Sequence, residues 1–419
     1  LLKKCKLYNN VLKYLFFYFM RLPRYKCENC GYEESLDKNM YFCPNCGDPL
    51  TIVYDKNELK DVKFTGRGVW RYKDLLPVSS EKAVTLNEGG TPLHRSIKLY
   101  KEIGVKDLWI KNEGLNPTGS FKDRGMTVGV TKAIELGARS VICASTGNTA
   151  ASLSAYAARA GITSFVVVPE GSVALGKLAQ ARAAGAKIVK VRGNFDYALK
   201  IVRSLAATTN ETYLLNSVNP YRIEGQKTIA YEIVEEYGVP DWIFIPVGNA
   251  GNITALWKGL KELKSMGFID SLPKLGGVQA EGASPIYRAF VEGKEEIIPV
   301  QNPQTVATAI KIGNPASWRR AIRAVKESGG IMISVSDEEI LEYQKKLASK
   351  EGIFVEPASA ASIAGLAKAT ALNIVKKDER VVAIVTGNGL KDPDSLMKIS
   401  AEEITIDADL EALKRVIKG

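Results

Sequence analysis

Histidine is almost missing. The 419-residue chain has one, His94, which excludes a histidine-rich metal centre and leaves a Ser-His-Asp hydrolase only this residue to build on. Its setting, "GGTPLHRS", has nothing of a nucleophile elbow, so a structural role is expected. A membrane-length apolar run is missing too. "YLFFYFM" near the start is too short to span a bilayer, and no small-residue cleavage site follows it. Residues 1–20 are therefore expected to be a dispensable extension, a start-site artefact ending at Met20, on a cytoplasmic chain with no membrane partner. No run of five basic residues occurs, although Lys+Arg 57 against Asp+Glu 46 leaves a net charge of +11. Dispersed positive charge suits phosphorylated metabolites or phosphate cofactors better than a nucleic-acid tail, and no nucleic-acid partner is expected.

Cysteine is scarce but patterned. Four of the six, Cys27, Cys30, Cys43 and Cys46, form C-x2-C-x12-C-x2-C. Two-residue gaps let both thiolates of each pair reach one tetrahedral ion, and "CENCGY" and "CPNCGD" place turn-prone residues where knuckles turn. The competing reading is two disulfides in a secreted domain, which the lack of a signal sequence opposes. Four thiolates fill the shell, so a structural zinc ribbon is expected. Cys5 lies outside the pattern, and Cys143, in the apolar "SVICAS", is expected to be core.

Beyond the ribbon, apolar strand-like runs alternate with helical patterns. Strands are expected at 107–113, 140–146, 164–169, 187–193, 212–218, 241–248, 274–280 and 380–387. Helical segments such as "NTAASLSAYAARAG" and "YRIEGQKTIAYEIVEEYG" lie between them and end at glycine. Val/Ile-rich strands separated by helices predict an α/β fold with parallel sheets covered on both faces.

Polar motifs collect where strands turn into helices, the place where parallel α/β sheets bind ligands. In "PVGNAGNITALW", Gly248 to Asn252 open a helix and let backbone amides converge, as a phosphate dianion requires; a plain Gly-Asn turn is the alternative. "ASTGNTAAS" offers Ser145, Thr146, Asn148 and Thr149, suited to a carboxylate or to ordinary capping. "IVTGNG" ends a strand with Thr386, which either caps the core or meets a ring nitrogen. "NSVNPYRIEGQKT" groups Asn216, Ser217 and Arg222, a reasonable phosphate clamp or a salt-bridged helix start. Within "NPTGSFKDRG", Lys122 follows a tight turn. It is either one more solvated lysine or an amine held to meet an aldehyde. A turn-held lysine, a phosphate cup and a hydroxyl for a ring nitrogen together compose a pyridoxal-phosphate site.

These motifs, from "NEGGTPL" to "TGNGLKD", resemble in kind and order those of the threonine synthases, fold-type II pyridoxal-phosphate enzymes of the tryptophan synthase β-like family. Related dehydratases usually have "SAGNHAQG" where this chain has "STGNTAAS". The resemblance implies two open, mostly parallel sheets covered by helices behind the ribbon (21–54): a large domain of 55–126 with 217–419 and a small one of 127–216. It implies that Lys122 binds the cofactor and moves protons, that Gly248, Asn249, Ala250, Gly251 and Asn252 cup its phosphate, that Asn148 meets the ring's 3′-oxygen, and that Thr386 faces the pyridine nitrogen. The implied substrate is O-phospho-L-homoserine, its carboxylate on Ser145, Thr146 and Thr149 and its phosphate on Asn216, Ser217 and Arg222. A homodimer is expected. A phosphoserine-using cysteate or cysteine synthase of the same fold would keep every cofactor residue. A nucleic-acid-binding ribbon protein would leave everything after residue 80 unexplained.

Overall fold

The computed structural model describes residues 23–55, 62–170, 178–193, 195–208, 211–392 and 403–418. The expected extension at 1–20, with Cys5, lies outside them. Three short antiparallel strands come first, β1 (Arg24–Lys26), β2 (Glu33–Ser35) and β3 (Thr51–Val53), in the order β2-β1-β3. Between them run two matching turns. Gly31 and Gly47, each just after a C-x2-C pair, adopt φ of 79° and 75°, where a Cβ is disfavoured. Their N–H groups bond back to the carbonyls of Cys27 and Cys43 at 3.0 and 2.9 Å, bringing the paired thiols to one side.

The edge strand β4 (Leu93–Arg95) pairs antiparallel with β5 (Asp107–Asn112). The next four strands, β6 (Ser140–Ala144), β7 (Thr163–Pro169), β8 (Lys187–Val191) and β9 (Thr212–Leu214), form a parallel sheet of order β8-β7-β6-β9. The last four, β10 (Trp242–Pro246), β11 (Lys274–Ala280), β12 (Ile331–Val335) and β13 (Arg380–Val385), complete a six-stranded sheet of order β12-β11-β10-β13-β5-β4. All its pairings are parallel except β4 with β5.

Strand alternation divides the apolar residues between two layers. Trp242 and Phe244 face one core with Val381, Ala383 and Val385, covered by Ile363 and Leu366 of the helix Pro357–Ala371. Ile243 and Ile245 face the other with Val382 and Ile384, under Leu256 and Leu260 of the helix Gly251–Ser265. Every residue of β6 and β10 is buried, as sheets covered on both faces require. Cys143 is core, and His94 sits on edge strand β4 opposite Ile110.

The structure shortens six expected strands. β5, β6, β8, β9, β10 and β13 end at Asn112, Ala144, Val191, Leu214, Pro246 and Val385, short of the polar and glycine residues near the end of each expected run. β4 and β12 were not anticipated: β4 is a three-residue edge, and β12 interrupts its apolar run with Ser334. The helix expected from Tyr221 onward is two, Pro220–Gln226 and Thr228–Tyr237. They join at Lys227, whose buried ammonium binds Glu224 at 2.6 Å and Glu262 at 2.9 Å. Among the described residues no helix is long and apolar enough to cross a membrane.

The lysine-bearing helix, Lys122–Glu135, crosses the helix Pro220–Gln226 at paired glycines. A Cβ on Gly225 would lie 1.8 Å from the Arg124 carbonyl oxygen, and one on Gly125 would lie 2.7 Å from that of Arg222. Neither contact is with a flexible side-chain end, so a methyl group must push the backbones apart. Gly225→Ala is expected to lower stability by about 1–3 kcal/mol or more, seen as a reduced urea midpoint. A variant with the wild-type midpoint would show that the crossing is not close-packed.

Candidate active site

Lys122 owes its place to its neighbours on the turn. Gly119 takes φ of 83° and donates its N–H to the Asn116 carbonyl at 2.8 Å, closing the turn. The next residues are stitched to the end of β13: Phe121 N–H donates to the Thr386 carbonyl at 3.0 Å, and Asn388 N–H to that of Gly119 at 2.9 Å. Asp123 accepts from Thr118 N–H at 2.7 Å, from Thr118 Oγ1 at 2.6 Å and from Ser152 Oγ at 2.5 Å. Arg124 points the other way and binds two carboxylates in forked fashion, Glu113 at 2.6 and 2.7 Å and Glu232 at 2.7 and 2.6 Å. The charged residues beside the lysine are thus both consumed in holding the turn. Lys122 is not. Its Nζ lies 4.1 Å from the centre of the Phe121 ring and lines a cavity.

The cavity opens at the carboxyl ends of β10 and β13. One wall is the turn Gly248–Asn252 leading into the helix Gly251–Ser265, whose first N–H groups have no partner within the helix. Ala250 adopts φ of 67°. A left-handed conformation costs a residue with a Cβ about 1–2 kcal/mol, and turns of this kind let successive amides form an anion-binding concavity. Thr386 and Asn148 supply a second wall. Ser359 braces Thr386: its Oγ lies 3.0 Å from Thr386 Oγ1 and accepts the N–H groups of Thr386 and Gly387. Asn148 donates Nδ2 to Glu356 at 3.0 and 3.1 Å. A third wall comes from Ser217, Arg222 and Gln226.

Charge and hydrogen-bond capacity are left over here. Arg222 is 1% exposed, yet among the described residues the one hydrogen bond of its side chain is Nη1 to the Leu215 carbonyl at 3.1 Å, and its Nε has no partner. Burial brings its pKa down to about 10. Burial, then the Arg222 cation, lower the Lys122 amine to about 7, with Glu356 pulling the other way. Burial raises Glu356 to about 7 despite the Asn148 bond. Gln226 Oε1 and both amide atoms of Asn252 also lack partners. Buried polar atoms without partners cost roughly 1–3 kcal/mol each, more when charged, so a group rich in phosphate and ring heteroatoms fits this lining.

Other expected residues lie nearby or apart. Ser145, Thr146 and Thr149 share the turn of Asn148, at the start of the helix Asn148–Ala160, without lining the cavity. Asn216 has its amide on Ala144, accepting from the N–H at 3.0 Å and donating to the carbonyl at 2.9 Å, so it ties β9 to β6 behind the wall. Sequence reasoning missed Glu356, Gln226 and Ser359. Gln226 could have been found from its four-residue spacing to Arg222 on one helix. Glu356 carries only a faint signal, an acid just before the helix-opening Pro357.

In the ribbon, the ligand atoms of Cys27, Cys30, Cys43 and Cys46 all lie within 4.8 Å of one another, with Cys27 to Cys46 and Cys30 to Cys43 at 3.4 Å. Zinc–sulfur bonds of about 2.3 Å put tetrahedral thiolates close to this spacing.

Known proteins share both the sequence and the fold. The chain is 56% identical over 402 residues to the threonine synthase of Methanocaldococcus jannaschii, covering 94% of this chain and 99% of that protein. It is 53% identical over 400 residues to the threonine synthase of Methanosarcina acetivorans, covering 94% and 98%. The processed form of threonine deaminase isoform 2 from Solanum lycopersicum matches in fold, with a TM-score of 0.64 at 24% identity over 81% of this chain and 96% of that one. A family model described as pyridoxal-phosphate dependent enzyme matches residues 84–387, the span that holds both large sheets and every wall of the cavity. The chain belongs to the pyridoxal-phosphate dependent enzyme family.

Proposed function

We propose that the chain is a threonine synthase, converting O-phospho-L-homoserine and water to L-threonine and phosphate. One observation carries the substrate class: a cavity that already has a helix N-terminus for one phosphate also contains a buried guanidinium, Arg222, with no carboxylate paired to it among the described residues. Two separate anion positions suit a phosphorylated cofactor together with a phosphorylated substrate.

Pyridoxal 5′-phosphate, when bound, supplies an aldehyde for the Lys122 amine and later the substrate's, and a ring that takes up electrons released at Cα. Gly248 to Asn252 hold its phosphate. Asn148, oriented by Glu356, meets the ring's 3′-oxygen, and Thr386, braced by Ser359, meets the ring nitrogen. Lys122, when free, takes and returns protons at Cα and Cβ; an amine lowered to about 7 is neutral in a large fraction of molecules near neutral pH. Ser217 and Arg222 hold the phosphate that leaves from Cγ, and water adds at Cβ. Asn216 supports these two by tying the strand ends together. The turn of Ser145, Thr146 and Thr149 receives the carboxylate. The four thiolates of the ribbon hold one structural zinc.

Phosphate release and amino-acid product from phosphohomoserine, measured against phosphoserine, test the proposal. Threonine from the first substrate is expected; sulfonated or thiolated product from the second alone, with sulfite or sulfide supplied as the nucleophile, would replace the reading with its closest rival. Lys122→Ala is expected to abolish turnover with the fold intact, and near-wild-type turnover by it would remove the lysine from the mechanism. Arg222→Ala should remove a charge-assisted contact of roughly 1.5–3 kcal/mol, about ten- to a hundredfold in kcat/KM, with Arg222→Lys intermediate. Loss of cofactor with unchanged phosphohomoserine binding would instead assign Arg222 to the cofactor. The rate at which apo-protein takes up the cofactor, followed by its yellow absorbance, is expected to rise with pH to a half-maximum near 7. In Arg222→Ala the midpoint should move up, since one cause of the depression is gone. A wild-type midpoint at the ordinary lysine value of 10.5 would overturn this.

A further inference from the structure

Each cysteine pair of the ribbon is preceded by a tyrosine, in Tyr25-x-Cys27 and Tyr41-x-Cys43. Residues two apart in extended chain share a face, and both tyrosines are buried with their cysteines. A metal that fixes the four thiols therefore also fixes the two phenols. Both phenols, and a third from Tyr54 just after β3, reach the segment that makes the cavity's third wall.

Tyr41 Oη accepts the N–H of Leu214 at 3.2 Å, where β9 ends and the polar loop begins. Tyr25 Oη donates to Tyr221 Oη at 3.3 Å, and the two rings meet edge to face at 6.3 Å. Tyr54 Oη donates to Glu224 at 2.8 Å. These three points bracket Ser217 and Arg222, one before them and two within two residues of Arg222. Lys258 closes the arrangement, donating to both the Ile52 carbonyl of β3 and Glu224. From the other side the same segment is pressed by the lysine-bearing helix: a Cβ on Gly129 would lie 2.5 Å from Leu215 and 3.3 Å from Arg222. The helix Pro220–Gln226 is only seven residues long and, among the described residues, has no carboxylate holding its guanidinium, so its position depends on what packs behind it.

We infer that Tyr25, Tyr41 and Tyr54 are positioning residues for the Ser217–Arg222 wall, and that metal binding in the ribbon sets the enzyme's affinity for the substrate's phosphate. The inference rests on the reading of Arg222 as the phosphate-binding cation. The ribbon then acts from behind the active site and touches neither substrate nor cofactor.

The experiment uses the holoenzyme, with its cofactor already in the cup, and the variants Tyr25→Phe and Tyr54→Phe, which keep the rings and remove one hydroxyl. Each is expected to raise KM for phosphohomoserine roughly threefold to tenfold, the loss of one hydrogen bond's worth of placement, with kcat and cofactor absorbance little changed. Calorimetric affinity of the holoenzyme for inorganic phosphate should fall by the same factor, and removal of the ribbon metal by a chelator should lower it further. In an Arg222→Ala background the tyrosine changes should have no additional effect, because they act through that side chain. If the tyrosine variants change only the unfolding midpoint, or lower kcat and KM together, the ribbon is a stability element and the inference fails. If Arg222→Ala itself leaves phosphate affinity unchanged, the reading of Arg222 fails instead. The two failures are therefore distinguishable.

Discussion

The buried guanidinium of Arg124 is the interaction on which the active site depends. It joins three pieces of chain: the end of β5 through Glu113, the lysine-bearing helix through its own backbone, and the helix Thr228–Tyr237 through Glu232. Burial would raise the Glu232 carboxyl, but Arg124 and then Lys111 overcome it and hold it at about 2. Such a cluster is poor evidence of net stability, since desolvation offsets much of the attraction. Its value here is geometric. Two forked pairs fix a planar group in one orientation, and breaking either would leave a buried charge. With Arg124 fixed, the turn before it cannot rotate, and Lys122 must face the ends of β10 and β13.

Arg222 is its counterpart in the opposite sense. Both guanidiniums are buried on elements that cross at paired glycines, yet one has two carboxylates and the other has a single carbonyl. The difference separates a structural cation from one with binding capacity to spare more clearly than the formal charge of +11 does. Much of that excess lies on exposed lysines and arginines, whose contribution salt screens within a Debye length. A buried cation with no ion pair among the described residues is screened far less; it helps keep the Lys122 amine neutral, and in the proposed reading it also attracts a dianion.

The parts of the fold that were legible in the sequence are those encoded over short distances. Runs such as "WIFIP" and "RVVAIV" announce buried strands, and the glycines and hydroxyls just after them announce the cup and Thr386. The lysine turn is local in part: Asp123 reaches back to Thr118, although Ser152 and the end of β13 also hold it. What could not be read is what a distant segment supplies. Glu356 meets Asn148 across a separation of 208 residues, and Tyr54 meets Glu224 across 170. No periodicity records such pairs. Asn216 illustrates the intermediate case: its place beside Arg222 was visible, but its use was decided by Ala144, seventy-two residues earlier.

The same distinction explains why the site is shared among so many elements. A ring that must be approached by an amine, a hydroxyl, an amide and a phosphate cup needs donors from different directions, and one local motif presents only one direction. Parallel strands solve this by ending side by side, each delivering one polar turn to a common edge. Helix N-termini add amides that the strands cannot offer. What remains is to stop these turns from relaxing into ordinary loops, and each is tied by a long-range contact: Lys122 by Arg124, Asn148 by Glu356, Thr386 by Ser359, and the Ser217–Arg222 segment by the ribbon tyrosines. The turns determine which chemistry is possible, and the ties determine whether the groups stay close enough together to perform it.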